Sequence, residues 1–185
     1  MIKIPFEHMS FAVIDDNAHI RRLLRSILHS FGCRDVYEAE DGAAGLEVVE
    51  THAPDIVIVD LIMPLFDGFD FVRTVRNPKG CKTPRVPIIM LTGHAEKRNV
   101  LEARNLGVTE FMCKPFSADT LYKRVQSIVE HPRDFVMSKD YYGPAWRDSS
   151  GKQIESATAS KPKATQKADQ AAEKIELDAF IEIEL

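Results

Sequence analysis

The sequence predicts an α/β fold in which five parallel strands alternate with five helices over roughly the first 130 residues. Short apolar or β-branched runs end abruptly in polar residues, which is typical of strands buried on both faces of a parallel sheet. Between these runs, apolar residues recur at three- and four-residue spacing, which indicates amphipathic helices. Right-handed crossovers leave few arrangements, and we expect a doubly wound, flavodoxin-like sheet with the strand order 2-1-3-4-5.

The five predicted strands differ in the strength of their signal. The first, third and fourth are near-continuous apolar runs, the second is weaker and follows a Gly-Cys-Arg-Asp turn, and the fifth follows a Leu-Gly pair. In chain order the predicted strands lie at 11–14, 36–39, 55–59, 86–91 and 111–113.

The helices are predicted from apolar stripes and from residues that favour helix ends. Asn17 is suited to cap the first helix and Gly32 to end it, while Ser117 is suited to cap the fifth, with Pro132 just beyond its end. In chain order the stripes lie at 20–31, 42–52, 69–75, 100–106 and 121–129.

The composition is that of a globular protein without an obvious affinity for nucleic acid or membranes. Of 185 residues, 44% are hydrophobic and 28% charged, and the net charge of −4 gives no general attraction to nucleic acid or to anionic lipid. No segment approaches the roughly 20 apolar residues of a membrane span. The three cysteines form no Cys-x-x-Cys pair, and the six histidines show no metal-ligand spacing. We therefore expect a cytoplasmic protein that binds neither nucleic acid nor a membrane.

Composition also divides the chain into segments. We expect an N-terminal extension at 1–8, the main domain at 9–131, and an aromatic extension at 132–148 that could pack on the main domain. Residues 149–174 are mostly Ser, Ala, Lys, Gln and Thr, and this composition predicts a disordered linker. Residues 175–185 regain hydrophobicity and form a short amphipathic segment, which could add to a partner as an edge strand or short helix, or be a disordered end.

Several ionisable or hydroxyl side chains follow the predicted strands, where sites form in open parallel sheets. One acidic pair ends the first strand, and single polar residues end the third, fourth and fifth strands. These residues are Asp15 and Asp16, Asp60, Thr92 and Lys114. We therefore expect three carboxylates, one hydroxyl and one ammonium to converge on one rim of the sheet.

The chemistry of this rim indicates phosphoryl transfer. Three carboxylates repel one another unless cations lie among them, and a lysine offsets only one charge. Mg²⁺ suits the remainder, because it prefers one or two carboxylates together with waters and phosphate oxygens. A carboxylate can itself accept a phosphoryl group, and this reaction requires mainly positioning and cations on the phosphoryl oxygens.

Four motifs in chain order resemble those of the CheY-like receiver family of response regulators. They are VIDD at 13–16, DLIMPLFDG at 60–68, LTG at 91–93 and FMCKPF at 111–116, and the resemblance extends over residues 9–131. The resemblance implies that Asp60 is the phosphoacceptor. It also implies that Asp16 and Asp60 bind Mg²⁺ directly, that Asp15 acts through a water, and that the backbone carbonyl of Ile62 completes the protein ligands.

The resemblance also implies a conformational switch. Thr92 would move to the phosphoryl group, and the ring of Phe111 would turn into the space that it leaves. Lys114 would contact the phosphoryl group, and its peptide bond to Pro115 would be cis. At the position of Ile62 the family more often has a polar residue, so the resemblance leaves the lifetime of the phosphorylated state open.

Three functions remain open at this level. The first is a stand-alone switch, phosphorylated on Asp60 by a histidine kinase or phosphotransfer protein, that binds a partner through its fourth helix, fifth strand and fifth helix. Such a protein would catalyse only its own phosphoryl transfer and dephosphorylation. The second is a phosphorelay intermediate, and the third is a scaffold that works without phosphorylation. We expect no second effector domain, because 133–185 is too short and polar to form one.

Overall fold

The computed structural model describes residues 4–93, 96–138, 141–147 and 153–154. One parallel sheet of five strands lies at its centre, in the order β2-β1-β3-β4-β5. The strands are β1 (Ser10–Ile14), β2 (Asp35–Ala39), β3 (Ile56–Asp60), β4 (Ile88–Thr92) and β5 (Glu110–Cys113). The predicted fold class and strand order are therefore confirmed.

Five helices connect and flank these strands. They are α1 (Ala18–Ser30), α2 (Gly42–His52), α3 (Gly68–Val75), α4 (Lys97–Asn105) and α5 (Ala118–Glu130). Four of them begin at a residue whose side chain accepts a hydrogen bond from a backbone N–H of the first turn, which satisfies a donor that the helix leaves unpaired. The capping residues are Asn17, Asp41, Asp67 and Ser117.

Successive residues of each strand point to opposite sides of the sheet, and helices cover both sides. Val57 and Val59 of β3 pack in one cluster with residues of α2, α3 and α4. Ile56 and Ile58 pack in a second cluster with residues of α1 and α5. Every residue of β3 and β4 is buried. This explains why the two strands read as continuous apolar runs rather than as alternating ones.

The described part of the N-terminal extension packs into the second cluster. Ile4 and Phe6 are buried, and residues Phe6–His8 form one turn of 3₁₀ helix. The ring of Phe6 lies 5.0 Å from that of Phe31 and 5.8 Å from that of Tyr122, measured between centroids. These contacts join the chain start to α1 and α5.

Short strands follow α5, where the sequence shows neither the apolar pattern of a strand nor that of a helix. Strand β6 (Phe135–Met137) pairs antiparallel with β7 (Tyr142–Pro144), and β8 (Trp146–Arg147) pairs with β9 (Gln153–Ile154). Runs of two or three residues are too short to establish a two-residue alternation. Strand β9 lies within the predicted linker at 149–174; the rest of that segment, and all of 175–185, fall outside the described residues.

The β6–β7 hairpin contacts the main domain around the buried side chain of Arg76. The guanidinium lies 5.1 Å from the centre of the Phe135 ring. It also donates to the carbonyl oxygens of Gly107 at 2.9 Å, Pro84 at 2.8 Å and Val86 at 2.8 Å. The hairpin thus lies where β4 and β5 begin, at the opposite end of the sheet from the carboxyl ends. Within the described residues, no helix is long and apolar enough to cross a membrane.

Candidate functional site

The candidate site lies at the carboxyl ends of the strands. Asp60 and Thr92 are the last residues of β3 and β4, Asp15 directly follows β1, and Lys114 directly follows β5. The hydrogen-bond ladder continues past the strand ends, since the N–H of Lys114 donates to the carbonyl of Thr92 at 2.6 Å. The backbone that carries these side chains is therefore held by the sheet itself.

Three carboxylates meet at this point. One oxygen each from Asp15, Asp16 and Asp60 lies within 4.8 Å of the others. Asp15 and Asp60 are buried, whereas Asp16 is exposed. The cluster therefore opens to solvent on the Asp16 side.

Lys114 joins the two buried carboxylates. Its Nζ donates to Asp15 Oδ2 at 2.7 Å and lies 2.9 Å from Asp60 Oδ1. Burial alone would lower the pKa of Lys114, but the hydrogen bonds to both carboxylates outweigh it and raise this pKa above its usual value. Burial raises the pKa of Asp60, although the contact with Lys114 opposes that change. Lys114 is therefore charged near pH 7.

The two residues of the acidic pair are held in different ways. The Asp15 carboxylate accepts from Lys114 through one oxygen and from the backbone N–H of Asn17, at 2.8 Å, through the other. Arg21 Nη1 donates to the carbonyl oxygen of Asp15 at 2.7 Å and to that of Asp16 at 3.3 Å. Sequence reasoning did not single out Arg21, because an arginine inside a helix is usually an exposed charge.

The donor set suits Mg²⁺. Three carboxylates and one ammonium leave the pocket with a net formal charge of −2. Hard oxygen donors beside an open, solvent-facing side match the preference of Mg²⁺ for a few carboxylates together with water. The residues therefore fit the ion that the resemblance implied.

The loop after β3 directly follows Asp60 and contains an unusual conformation. Ile62 is 61% exposed, and its carbonyl accepts no hydrogen bond from the described residues. Leu65 is fully exposed and adopts a left-handed backbone with φ of +66°. The loop closes where the N–H of Gly68 donates to the carbonyl of Leu61 at 2.9 Å. This brings the start of α3 against the backbone of Asp60.

The two residues of the expected switch lie in the interior. Thr92 is fully buried, and Phe111 is buried in the same cluster as Val100 and Ala103 of α4. The Lys114–Pro115 peptide bond is cis, as the resemblance implied. Of the predicted site residues, Asp15, Asp16, Asp60 and Lys114 are thus brought into one cluster, while Phe111 is buried in the core.

Comparisons with known proteins give a consistent result. Residues 11–126 match the family model described as the response regulator receiver domain. The chemotaxis protein CheY-3 of Vibrio cholerae serotype O1 is 30% identical over 124 residues, which are 67% of this chain and 94% of that protein. The chemotaxis protein CheY of Pseudomonas aeruginosa is 30% identical over 122 residues, which are 66% of this chain and 97% of that protein.

Solved structures are similar over the same part of the chain. The Vibrio cholerae chemotaxis protein CheY4, crystallised at pH 4.0, is 32% identical with a TM-score of 0.59, covering 65% of this chain and 98% of that one. The receiver domain of the Francisella response regulator 1452 is 26% identical with a TM-score of 0.60, covering 66% and 98%.

Proposed function

Because the chain belongs to the response regulator receiver family, we propose that it is a two-component response regulator whose Asp60 accepts a phosphoryl group. Receivers of this family are regulatory phosphoacceptors. The donor would be a histidine kinase or a histidine phosphotransfer protein. The output would be phosphorylation-dependent binding of a further protein.

The observation that carries the proposal is the position of Lys114 between two buried carboxylates. Its ammonium contacts Asp15 Oδ2 at 2.7 Å and Asp60 Oδ1 at 2.9 Å, with Asp16 beside them on the solvent side. A stable core does not need three clustered carboxylates, since they repel one another and two of them are removed from water. The arrangement is explained if the cluster receives a cation and a phosphoryl group.

The reaction requires one bond to form and one to break. An oxygen of the Asp60 carboxylate attacks the phosphorus of the donor, and the new P–O bond forms as the P–N bond of a phosphohistidine breaks. The imidazole leaves with the electron pair of that bond and takes a proton from solvent. Asp60 then carries an acyl phosphate.

Other residues stabilise the charge that this reaction places on the phosphoryl oxygens. Lys114, already beside Asp60, would contact one of these oxygens, and the Thr92 hydroxyl would donate to another. Asp16 and Asp60, with the Ile62 carbonyl, would hold Mg²⁺ directly, and Asp15 would act through a water. When bound, Mg²⁺ supplies positive charge that offsets the charge on the phosphoryl oxygens.

The signal would reach a partner through α4 and β5. Phe111 lies on β5 and belongs to the core cluster that includes Val100 and Ala103 of α4, so a rotation of its ring would require repacking within that cluster. Movement of Thr92 towards the phosphoryl group would release the space for that rotation. The face formed by α4, β5 and α5 would then differ between the two states.

Phosphorylation of matched variants tests this proposal. Wild type incubated with radiolabelled acetyl phosphate and Mg²⁺ should incorporate label, and Asp60→Asn should incorporate none. Asp119→Asn, at an exposed position on α5, is the control and should behave as wild type. Label that persists on Asp60→Asn would contradict the assignment of the phosphoacceptor.

A pull-down with phosphorylated wild type and with Asp60→Asn tests the output. A switch should retain its partner only in the phosphorylated form. Equally tight binding by both proteins would instead favour a scaffold. Rapid loss of label to a phosphotransfer protein would favour a relay.

A further inference from the structure

Arg21 makes contacts that single it out from the other basic residues of α1. Its Nη1 donates to the carbonyl oxygens of Asp15 and Asp16, at 2.7 and 3.3 Å. Its Nε lies 3.5 Å from Glu38 Oε2 on β2. The guanidinium therefore holds the main chain of the acidic pair through both backbone carbonyls.

These contacts matter most for Asp16. The Asp15 carboxylate is fixed through both of its oxygens by Asn17 and Lys114. The exposed Asp16 carboxylate, in contrast, has no hydrogen bond or ion pair with any described residue. The position of the Asp16 carboxylate beside Asp60 is therefore set by the backbone of Asp16. The side chain of Arg21 donates to the carbonyl of that residue.

We propose that Arg21 is a positioning residue for Mg²⁺ binding. Its guanidinium fixes the turn at Asp15 and Asp16, so that the Asp16 carboxylate stays within reach of Asp60. The inference rests on the proposed Mg²⁺ site and adds to it a residue that does not touch the ion. Groups that orient metal ligands from behind typically change metal affinity by about 10- to 100-fold when they are removed.

Simple charge repulsion predicts the opposite result. A guanidinium near a cation site weakens cation binding, so its removal would tighten Mg²⁺ binding. Glu38 lies against Arg21 and offsets much of this charge. Arg25 contacts the same glutamate at 2.8 Å, but none of its described contacts reaches the acidic turn. Arg25 therefore provides a control for charge without the positioning contact.

The test compares Arg21→Met with Arg25→Met, since methionine keeps an apolar stem and removes every donor. Isothermal titration with MgCl₂ should give a dissociation constant about tenfold higher for Arg21→Met than for wild type. Arg25→Met should remain within about twofold of wild type, because its guanidinium is exposed and makes no contact with the turn. Equal shifts in the two variants, or tighter binding by Arg21→Met, would overturn the proposal.

Two further measurements separate positioning from a loss of folding. Labelling of Arg21→Met by acetyl phosphate should recover towards wild type at saturating Mg²⁺, whereas a folding defect would lower labelling at every concentration. If Arg21→Met does not fold, Arg21→Lys keeps the charge but carries its donors on a single nitrogen with a shorter reach, and it should still bind Mg²⁺ more weakly than wild type; unchanged affinity would overturn the proposal. If the wild-type protein does not bind Mg²⁺, both proposals are wrong. If it binds Mg²⁺ normally but Asp60→Asn is still labelled, only the assignment of Asp60 as the phosphoacceptor is wrong.

Discussion

Lys114 allows the carboxylate pocket to exist in the absence of a metal ion. Moving a carboxylate out of water is costly unless it is paired, and here one ammonium pairs with two buried carboxylates. The pairing is incomplete, because a third carboxylate lies beside them. The protein therefore leaves the pocket with a net formal charge of −2, which one Mg²⁺ would offset.

Replacement of Lys114 by methionine should destabilise the metal-free protein by about 2 kcal/mol, the usual effect of losing hydrogen bonds to charged groups. Mg²⁺ should recover part of this loss, since it supplies positive charge to the same carboxylates. Thermal unfolding with EDTA and with MgCl₂ measures both effects. Lys123→Met, at a 57% exposed side chain of α5, is the control and should change neither curve. An identical loss with and without Mg²⁺ would contradict the prediction.

Tyr141 should make the stability of the protein depend on pH in the alkaline range. Burial raises the pKa of its phenol above the usual value, although nearby arginines oppose this, and the hydroxyl donates to the carbonyl of Pro144 at 2.7 Å. In the unfolded chain the phenol ionises near pH 10. Because the folded state keeps the proton, the stability that Tyr141 contributes is complete below pH 10 and is lost as pH rises above it.

Tyr141→Phe should therefore be less stable than wild type by about 1 kcal/mol at pH 8, since it lacks the hydrogen bond. The difference should shrink above pH 10 and reach about zero near pH 11, because only wild type loses stability from ionisation of this phenol in its unfolded state. Urea unfolding at both pH values measures the difference. Burial lowers the pKa of Arg76 to about 10, but that group is present in both proteins and cancels. A constant difference would contradict the prediction.

At the scale of elements, the start of α3 depends on a glycine. A Cβ at Gly68 would collide with the backbone oxygen of Asp60 and lie 2.9 Å from Leu61 Cα. Neither atom belongs to a flexible side chain, so the helix or the strand end would have to move. The close approach of α3 to the phosphoacceptor therefore requires the absence of a side chain.

Gly68→Ala should cost about 1–3 kcal/mol of stability through overpacking. It should also slow labelling of Asp60, because the displaced backbone carries the acceptor. Gly80→Ala is the matched control, since its added Cβ meets only the end of the Asn77 side chain, at 3.2 Å. Chemical denaturation and acetyl phosphate labelling measure the two effects. A Gly68→Ala protein with wild-type stability and labelling would show that the loop adapts.

The elements predicted well from the sequence are those whose period is long enough to recognise. The continuous apolar runs of β3 and β4, five residues each, are long enough to indicate strands that are buried on both faces. The caps at Asn17 and Ser117 could be predicted because capping requires particular side chains. The β6–β7 hairpin could not, because its three-residue strands are fixed by contacts with Arg76 and its neighbours rather than by their own pattern.

The site shows the same division. The proximity of the carboxylates and Lys114 could be predicted from the sequence, because parallel strands place their carboxyl ends at one edge of the sheet. The hydrogen bonds of Arg21 to two backbone carbonyls could not, because a backbone acceptor leaves no trace in the sequence. Side chains that act on the main chain become visible only in three dimensions.

At the scale of the whole molecule, the hairpin covers the end of the sheet opposite to the pocket. It places an aromatic ring on the buried Arg76 guanidinium, and Arg133 Nη2 donates to buried Glu110 Oε1 at 2.9 Å. Arg76 forms no ion pair with a described carboxylate; carbonyl oxygens and this ring are the partners found in that part of the chain. These contacts hold the hairpin and the residues before it against the main domain.

A chain that ends after His131 should be less stable than wild type by about 3 kcal/mol, from the lost ring contact and the lost hydrogen bond to a charged group. At this chain length that corresponds to roughly 6–12 °C in Tm. A chain that ends after Ile154 keeps every described contact and should melt within about 2 °C of wild type. Thermal unfolding of the three proteins measures this. Equal Tm values would show that the hairpin contributes nothing.

The distance between hairpin and pocket has a practical use. Met137 on β6 is 74% exposed, so a dye attached at a cysteine introduced there would sit on the far end of the sheet from Asp60. Such a dye would lie away from the phosphoryl group on Asp60. A change in its emission on addition of acetyl phosphate would therefore show that phosphorylation changes the structure at the far ends of β4 and β5.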